Sequence, residues 1–350
     1  MGIISTHDNG KRRPGIVNHP AVHPFDRLDP VLVLDAVDAA GFRTDGRLFA
    51  LNSYENRVYR AGVEADTADT AADEIVPDQC VVKFYRPDRW TDAQIREEHA
   101  FALELAAADL PVAAPLRRDG ETLFHRQGFR FAVFECRRGG SPELDAPGAR
   151  ELLGRTLGRL HAIGARQPFR HRERLVQADC GERARSAVLC AGVLPTALES
   201  RFCEVTGDVV EAVRDAFDRV GPTRSLRLHG DCHLGNLLWN ARGPVFVDLD
   251  DCLQGPAVQD LWMLCDGDWA GLLEGYRQFA NFDDSELLLV EALRAMRMLH
   301  HSAWLAARWD DPAFPPAFPG FGTPRYWEDL LNDLVTQCEA VRDPACRPAW

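Results

Sequence analysis

The sequence lacks the features that would mark it as a zinc protein, a membrane protein or a secreted protein. None of its ten cysteines forms a C-x-x-C pair, so a zinc knuckle has no support. No apolar run approaches the ~20 residues that a membrane span needs. The opening segment, MGIISTHDNGKRRPG, contains no apolar signal-peptide core. We therefore expect a cytoplasmic protein whose cysteines are free thiols.

Positive charge is also in short supply. Lys and Arg number 40 against 53 Asp and Glu, which gives a formal net charge of −13 at pH 7. A surface of this sign disfavours binding to a nucleic-acid backbone and leans toward basic partners. We expect a monomer with no nucleic-acid or membrane partner.

The length and the distribution of patterns predict two lobes. At 350 residues the chain can bury a full hydrophobic core in two domains. Residues 1–27 are polar and aperiodic and predict a flexible tail. Residues 28–136 are strand-rich, whereas residues 137–350 are mostly helical. The predicted fold class is therefore α+β and bilobal, with a cleft between a small N-terminal lobe and a larger C-terminal lobe.

Local patterns locate the elements of the first lobe. The first helix should open at Asp29-Pro30, carry Val31, Leu34 and Val37 on one face, and end at Gly41. A second helix should follow the capping box of Thr91 and Gln94 and stop before Pro111. Strands are expected over 51–62, 80–87, 121–128 and 129–136, and the acidic segment 62–79 is expected to be a solvated loop.

The second lobe is predicted from leucine and valine spacing. Helices are expected over 149–164 and 206–221, from 259 to about 308, and over 326–341. The segments GNLLW and PVFVDLD, joined by NARG, have the pattern of a β-hairpin.

An acidic run, HGDCHLGNLLWNARGPVFVDLDD, surrounds this hairpin at residues 229–251. Its Asp231, Asn236 and Asp248 are separate in sequence, but a loop that leads into a hairpin can bring them to one end of a sheet. Carboxylate and amide oxygens without a soft ligand suit Mg²⁺. The D-x-x-x-x-N spacing is that of a phosphoryl-transfer catalytic loop, in which Asp accepts a proton and Asn and a later Asp bind the metal.

A lysine in the first lobe fits the same chemistry. Lys83 lies inside an apolar strand, and Glu98 follows it on the next helix, as in the Lys–Glu pair that orients nucleotide phosphates. Glu97 is an equally charged neighbour, and an edge-strand lysine that snorkels to solvent is the simpler alternative for Lys83. No G-x-G-x-x-G loop precedes this lysine. In its place stands LNSYENRVY, where Ser53 and Asn52 are candidates for phosphate contact and an ordinary turn is the alternative for Asn52 and Asn56.

Other polar residues near the acidic run have competing interpretations. His229 and His233 either bind a metal or hold the catalytic loop by hydrogen bonds, and the second role is favoured because no third nitrogen ligand follows at a useful spacing. Asp250 and Asp251 are expected either to support the residues that bind the metal or to be solvated. Asp260 is either a helix cap or a loop anchor.

The residues now carry a family resemblance. HGDCHLGN resembles the catalytic loop of the aminoglycoside phosphotransferase and choline kinase group, which shares the protein-kinase fold. LNSYENRVY, VVKFYRPDRW, IREEHAFALEL, GFRFAVFE, FVDLDD and GPAVQDLWML resemble the bacterial stress response kinase A family, the RdoA-type protein kinases, over about residues 28–345. The family's members are Mg²⁺- and ATP-dependent cytoplasmic kinases that phosphorylate serine and threonine in proteins, including themselves.

The resemblance implies roles for individual residues. It implies Asp231 as proton acceptor and Asn236 and Asp248 as magnesium ligands, with Asp248 also counted as catalytic. It further implies that Ser53, Lys83 and Glu98 bind the nucleotide, with the adenine against residues 134–136. The tail and the acidic segment 62–79 depart from the family pattern.

The resulting hypothesis is a kinase that uses ATP and Mg²⁺ to phosphorylate protein serine and threonine, itself included, in a stress response. One rival is a small-molecule kinase for choline, homoserine or an aminoglycoside, because the same catalytic loop serves both. Another is a pseudokinase scaffold, although the retention of Lys83, Asp231, Asn236 and Asp248 argues against it.

Overall fold

The computed structural model describes residues 23–64, 75–175, 177–265 and 269–343. Residues 1–22 of the predicted tail lie outside the described ranges, and residues 23–27 lie within them. Phe25 already packs against Phe129 in the core of the first lobe, with ring centroids 6.4 Å apart. No helix in the described ranges is both long and apolar enough to cross a bilayer.

The first lobe is an antiparallel sheet with two helices. Its elements are α1 (Pro30–Ala39), β1 (Thr44–Ala50), β2 (Arg57–Val63), β3 (Ile75–Phe84), α2 (Asp92–Ala107), β4 (Phe124–Arg126) and β5 (Phe129–Arg137). The strand order is β1-β2-β3-β5-β4. Strand β3 is therefore central, and its Lys83 lies between Val58 on β2 and Ala132 on β5.

Alternation along β3 determines which side chains face the cleft. Cys80, Val82 and Phe84 are buried in one cluster with α1. Val81 and Tyr85 pack on the opposite face with Ile95 of α2. Because successive side chains in a strand point to opposite faces, Lys83 shares the α2 face.

Some local expectations for this lobe need correction. The predicted face of α1 is wrong at Val31, which is 68% exposed, because the stripe that meets the sheet starts one residue later, at Leu32. Residues 51–56 form a loop and not a strand, since pairing with β3 begins only at Arg57. Strand β1, which was not predicted from the sequence, is mostly exposed and pairs with β2. The capping box of α2 is confirmed.

The acidic segment 62–79 is only partly described, because residues 65–74 lie outside the described ranges. Its ends are not a loop as predicted. Gly62 and Val63 complete β2, and β3 begins at Ile75, where it pairs with Arg137 of β5.

The second lobe is mainly helical. Its helices are α3 (Ala149–Gly164), α4 (Gln177–Ala191), α5 (Glu199–Val220), α6 (Val258–Leu261), α7 (Ala270–Arg277), α8 (Val290–Ala306), α9 (Phe314–Ala317) and α10 (Pro324–Arg342). Its strands are β6 (Leu226–Leu228), β7 (Leu237–Asn240), β8 (Gly243–Phe246) and β9 (Leu253–Gly255). The predicted hairpin is confirmed as β7 and β8, with Leu237 opposite Phe246. Helix α5 begins at Glu199 and not near Thr206, and the α+β, two-lobed architecture is confirmed.

Candidate active site

A cleft of about 1260 Å³ opens between the lobes. Among its lining residues are the six that the sequence analysis assigned to the site, namely Ser53, Lys83, Glu98, Asp231, Asn236 and Asp248. Phe134, Glu135 and Cys136 of β5 line the same cleft, at the position predicted for the adenine. The fold therefore brings the candidate nucleotide residues of one lobe together with the candidate catalytic residues of the other.

Lys83 is buried and surrounded by carboxylates. Its Nζ lies 2.9 Å from Glu98 Oε1, 3.3 Å from Asp250 Oδ1 and 3.4 Å from Asp248 Oδ1. Burial disfavours the ammonium, but the charges of Asp250 and Glu98 outweigh it and raise the pKa of Lys83 well above its usual value. Lys83 is therefore a buried, paired cation rather than a snorkelling edge lysine. It is one of only two lysines in a chain that otherwise uses arginine, the other being Lys11.

Glu98, and not Glu97, is the partner of this lysine. Glu98 is 2% exposed on the inner face of α2, whereas Glu97 points along the helix surface and accepts the backbone N–H groups of residues 170–172. Burial raises the pKa of Glu98, and Lys83 opposes that rise. Glu97 thus fastens α2 to the second lobe, while Glu98 and Lys83 face the cleft.

Asp260 anchors the loop that carries Asp231. This fully buried carboxylate accepts the backbone N–H groups of His229 at 2.7 Å and Gly230 at 2.8 Å. Asp260 also forms a hydrogen bond of 3.1 Å with Nε2 of His161. Nδ1 of the same histidine is hydrogen-bonded to the hydroxyl of Tyr276 at 2.8 Å. Asp260 lies within α6 and makes no N-cap bond. Of the two interpretations left open by the sequence, the loop anchor is the one that the structure shows.

The two histidines near Asp231 hold the loop. His229 is buried and its Nε2 bonds the carbonyl of Val247, the residue before Asp248, at 2.9 Å. His233 Nδ1 accepts the N–H of Gly235 at 2.9 Å. No group of three or more His, Cys, Asp and Glu side chains within the described ranges is arranged to hold a metal. The favoured structural interpretation of both histidines therefore agrees with their contacts.

Asp231 is held by groups from two parts of the second lobe. Its Oδ1 accepts from Arg297 Nη1 at 2.6 Å, and its Oδ2 lies 3.4 Å from His233 Nε2. Partial burial would raise the pKa of Asp231, but the hydrogen bond to His233 and the charge of Arg297 keep it well below its usual range. Asp231 is thus an ionised carboxylate at neutral pH. Arg297 was not predicted from the sequence, because it lies 66 residues away on α8 and carries no local signal.

Asn236 and Asp248 both line the cleft and offer oxygen ligands there. The N–H of Val247 donates to the carbonyl of Asn236 at 3.0 Å, which brings the loop and the end of the hairpin together. Asn236 turns its Nδ2 toward the carbonyl of Asp231 at 2.9 Å, so its Oδ1 makes no hydrogen bond to the described residues. Asp248 adopts the left-handed conformation (φ 59°, ψ 68°), and its side chain is half-exposed toward the cleft. A free amide oxygen and an accessible carboxylate fit Mg²⁺.

Asp250 has a larger role than the sequence predicted. It is not solvated: its carboxylate is 4% exposed and contacts Lys83, Arg89 and Asn56. Burial would raise its pKa, but Lys83 and Arg89 hold it well below its usual range. Asp251 shares Arg89, with its own side chain 44% exposed. The acidic run and the motif KFYRPDRW are therefore parts of one charge network.

The loop between β1 and β2, residues 51–56, takes the place of a glycine-rich loop. Ser53 Oγ donates to the carbonyl of Asn56 at 2.9 Å. Asn56 is a buried structural link, since it donates to Asp250 at 3.1 Å and accepts the N–H of Arg86 at 3.0 Å. Asn52 is exposed at the edge of the cleft. Within the described part of the chain, the backbone N–H groups of residues 53–55 donate to no protein acceptor.

Comparisons with known proteins agree with this site. Residues 49–299 match the model of the phosphotransferase enzyme family, called APH. Stress response kinase A of Escherichia coli (strain K12) is 42% identical over 331 residues, which covers 91% of this chain and 95% of the relative. Serine/threonine protein kinase RdoA of Salmonella typhimurium is 41% identical over 327 residues, with the same coverage. A solved amicoumacin kinase, hAmiN, superposes with a TM-score of 0.63 at 17% identity and covers 88% of this chain and 94% of its own.

The last similarity concerns the fold, because its sequence identity is low, and it confirms the kinase-like bilobal architecture expected from the catalytic-loop motif. The matches to the two curated relatives, by contrast, extend over nearly the whole length of each relative. The chain therefore belongs to the stress response kinase A family, within the phosphotransferase enzyme family.

Proposed function

We propose that this protein is an ATP- and Mg²⁺-dependent serine/threonine protein kinase that also phosphorylates itself. The observation that carries the proposal is the convergence of two sets of side chains on one cleft. Lys83 and Glu98 form a buried ion pair on one wall, and Asp231, Asn236 and Asp248 lie on the other. These are the parts that phosphoryl transfer requires, namely a cation for the phosphates, oxygen ligands for a divalent metal and a carboxylate for the acceptor hydroxyl.

Each residue has a distinct task in this mechanism. Bound Mg²⁺, held by Asn236 and Asp248, would neutralise charge on the phosphates. Lys83, fixed by Glu98, orients the non-transferred phosphates. Asp231 stays ionised, orients the attacking hydroxyl and accepts its proton as the new bond forms. Arg297 keeps the Asp231 carboxylate in place through its 2.6 Å contact. Positioning and electrostatics supply most of the rate.

A protein acceptor is supported by the names of the relatives and not by the fold. The relative from Salmonella typhimurium is named a serine/threonine protein kinase, whereas low-identity structural neighbours include kinases of small molecules. We further propose that the protein acts in the cytoplasm, as a monomer, in a stress response. The acidic net charge is consistent with basic acceptor segments.

Incubation with ATP labelled at the γ-phosphate, without an added acceptor, tests the proposal. Label should appear on the protein, and mass spectrometry should place it on serine or threonine. Asp231→Asn should abolish labelling while the variant stays folded. Asp329→Asn, at an exposed ion pair on α10, serves as the matched control.

The outcomes separate the rivals. Label on the wild type that persists in Asp231→Asn would reject the base assignment. No label on the protein, together with transfer to choline, homoserine or an aminoglycoside, would make it a small-molecule kinase. A thermal shift with ATP but no transfer to any acceptor would make it a nucleotide-binding scaffold.

A further inference from the structure

The β1–β2 loop is attached to the second lobe as well as to its own sheet. Glu55 in this loop reaches the end of α8, where its carboxylate accepts the indole N–H of Trp304. It also accepts two N–H groups of Arg308, one of them at 2.9 Å and the other closer. The side chains of Glu55 and Arg308 are only 12% and 19% exposed. This ion pair is therefore far better shielded from solvent than a typical surface pair.

Neighbouring contacts fix the backbone of the loop. The ring of Tyr54 packs against Phe318, with centroids 5.1 Å apart. Arg86 donates to the carbonyl of Glu55 at 2.9 Å and to that of Tyr54 at 3.3 Å, while its guanidinium also bonds Asp311 at 2.6 Å. The motifs NSYENRVY and KFYRPDRW thus meet here, on the surface formed by the end of α8 and the segment after it.

In the docked loop several backbone carbonyls are hydrogen-bonded, whereas several backbone N–H groups have no partner in the described part of the chain. The carbonyls of Tyr54, Glu55 and Asn56 are all occupied by side-chain donors. The N–H groups of residues 53–55 have no protein partner among the described residues, as noted above. Ser53 and the loop line the same cleft as Lys83 and Asp248. Successive unpaired N–H groups at the rim of a cleft are suited to an anion such as a phosphate.

We propose that Glu55 is a positioning residue of this site. Docked on Trp304 and Arg308, it holds the β1–β2 loop so that the loop's N–H groups face the terminal phosphates of the nucleotide. A glycine-rich loop approaches phosphates through its bare backbone, whereas this loop is held over them from the opposite lobe. The inference rests on the proposed use of ATP and assigns the phosphate contacts of that same site.

Nucleotide affinity tests this role more directly than activity does. Mg-ATP and adenosine are titrated against the full-length wild type, Glu55→Gln, Arg308→Gln and Arg308→Lys. Glu55→Gln and Arg308→Gln should release the loop from α8. Their affinity for Mg-ATP should then fall on the order of ten-fold or more, because the phosphate contacts are lost. Adenosine has no phosphates, so its affinity should stay within about two-fold of the wild type. Arg308→Lys keeps the charge without the paired N–H geometry and should fall in between.

Glu64→Gln is the matched control. Glu64 follows β2 at the end opposite to the loop and pairs with Arg43 at 3.0 Å, with both side chains well exposed. It should leave both affinities unchanged. Equal weakening of Mg-ATP and adenosine in Glu55→Gln would show a structural role only and overturn the inference, as would wild-type affinity for Mg-ATP in both Glu55→Gln and Arg308→Gln. Absence of phosphate transfer by the wild type would instead reject the proposed function and leave this binding comparison intact.

Discussion

Lys83 should contribute to stability as well as to catalysis, and the structure gives the size of the effect. In Lys83→Met the carboxylates around the ammonium lose their shared cation. Asp250 keeps Arg89, and Asp248 is half-exposed, so these two carboxylates remain compensated or solvated. Glu98 is 2% exposed and, among the described residues, forms an ion pair with Lys83 alone, so its charge would be left both buried and unpaired.

The expected loss follows from leaving one buried charge without its partner. Removing one member of a buried ion pair costs about 3–5 kcal/mol, a large fraction of the roughly 5–15 kcal/mol that stabilises a typical domain. Because Asp250 keeps a cation and Asp248 keeps solvent, we expect the free energy of unfolding to fall by the lower figure, about 3 kcal/mol. In the double variant Lys83→Met/Glu98→Gln the stranded charge is gone, so about 1–3 kcal/mol should be recovered.

Urea denaturation of the wild type, both single variants and the double variant measures these free energies of unfolding and completes a double-mutant cycle. A pH series adds a second test. Without Lys83, burial should raise the folded-state pKa of Glu98 further above its ordinary value of 4.5. Such a carboxyl contributes stability below its unfolded pKa and loses it as pH rises through the folded value, so the deficit should be largest at neutral pH and shrink toward pH 4.5. A Lys83→Met variant as stable as the wild type, or a double variant no more stable than Lys83→Met, would refute this reasoning.

Three further changes test the surroundings of the site. His99 is buried and its pKa is lowered to about 3, chiefly by burial. Below pH 6.5 the unfolded chain therefore binds a proton that the folded chain does not, so about 2 kcal/mol of the free energy of unfolding should be lost between pH 6.5 and 5. In His99→Gln, urea unfolding should show a flatter pH dependence. Asp260→Asn strands buried N–H donors of the catalytic loop, so it should lower the free energy of unfolding by about 1–3 kcal/mol and reduce phosphate transfer; full activity would contradict its anchoring role. A Cβ on Gly158 of α3 would lie 2.5 Å from the carbonyl oxygen of Tyr276 on α7, so Gly158→Ala should cost about 1–3 kcal/mol in thermal unfolding, whereas Gly207→Ala in open space on α5 should not destabilise.

The elements that the sequence predicted well are those that local chemistry determines. The Thr91 capping box and the β7–β8 hairpin depend on residues a few positions apart, and both are present. Strand β1 was missed because it is a largely exposed edge strand without apolar alternation, and the rest of the sheet supplies its partner. The error at Val31 has the same origin, since apolar spacing fits more than one helix face and only contact with the sheet chooses between them.

The site was predictable to the extent that its residues stand in motifs. Lys83, Asp231, Asn236 and Asp248 came from spacing and residue type, and the fold brings them to one cleft. Arg297 and Arg308 could not be found in this way. They lie on or just after a helix whose sequence resembles any other amphipathic helix. Arg297 gains its partner Asp231 only when the second lobe folds, and Arg308 gains Glu55 only when the two lobes meet.

Helix α8 contacts both Asp231 and the β1–β2 loop. Arg297, Trp304 and Arg308 are spaced by seven and then four residues, which places them along one face of a helix and the turn that continues it. At one end this face holds the carboxylate of Asp231, and at the other it holds Glu55 of the β1–β2 loop. The proposed base and the loop proposed to bind the phosphates are thus attached to the same helix and its following turn, although they belong to different lobes. Because phosphoryl transfer depends on alignment of acceptor and nucleotide, this shared support would give the proposed kinase a physical means of setting that alignment without a glycine-rich loop.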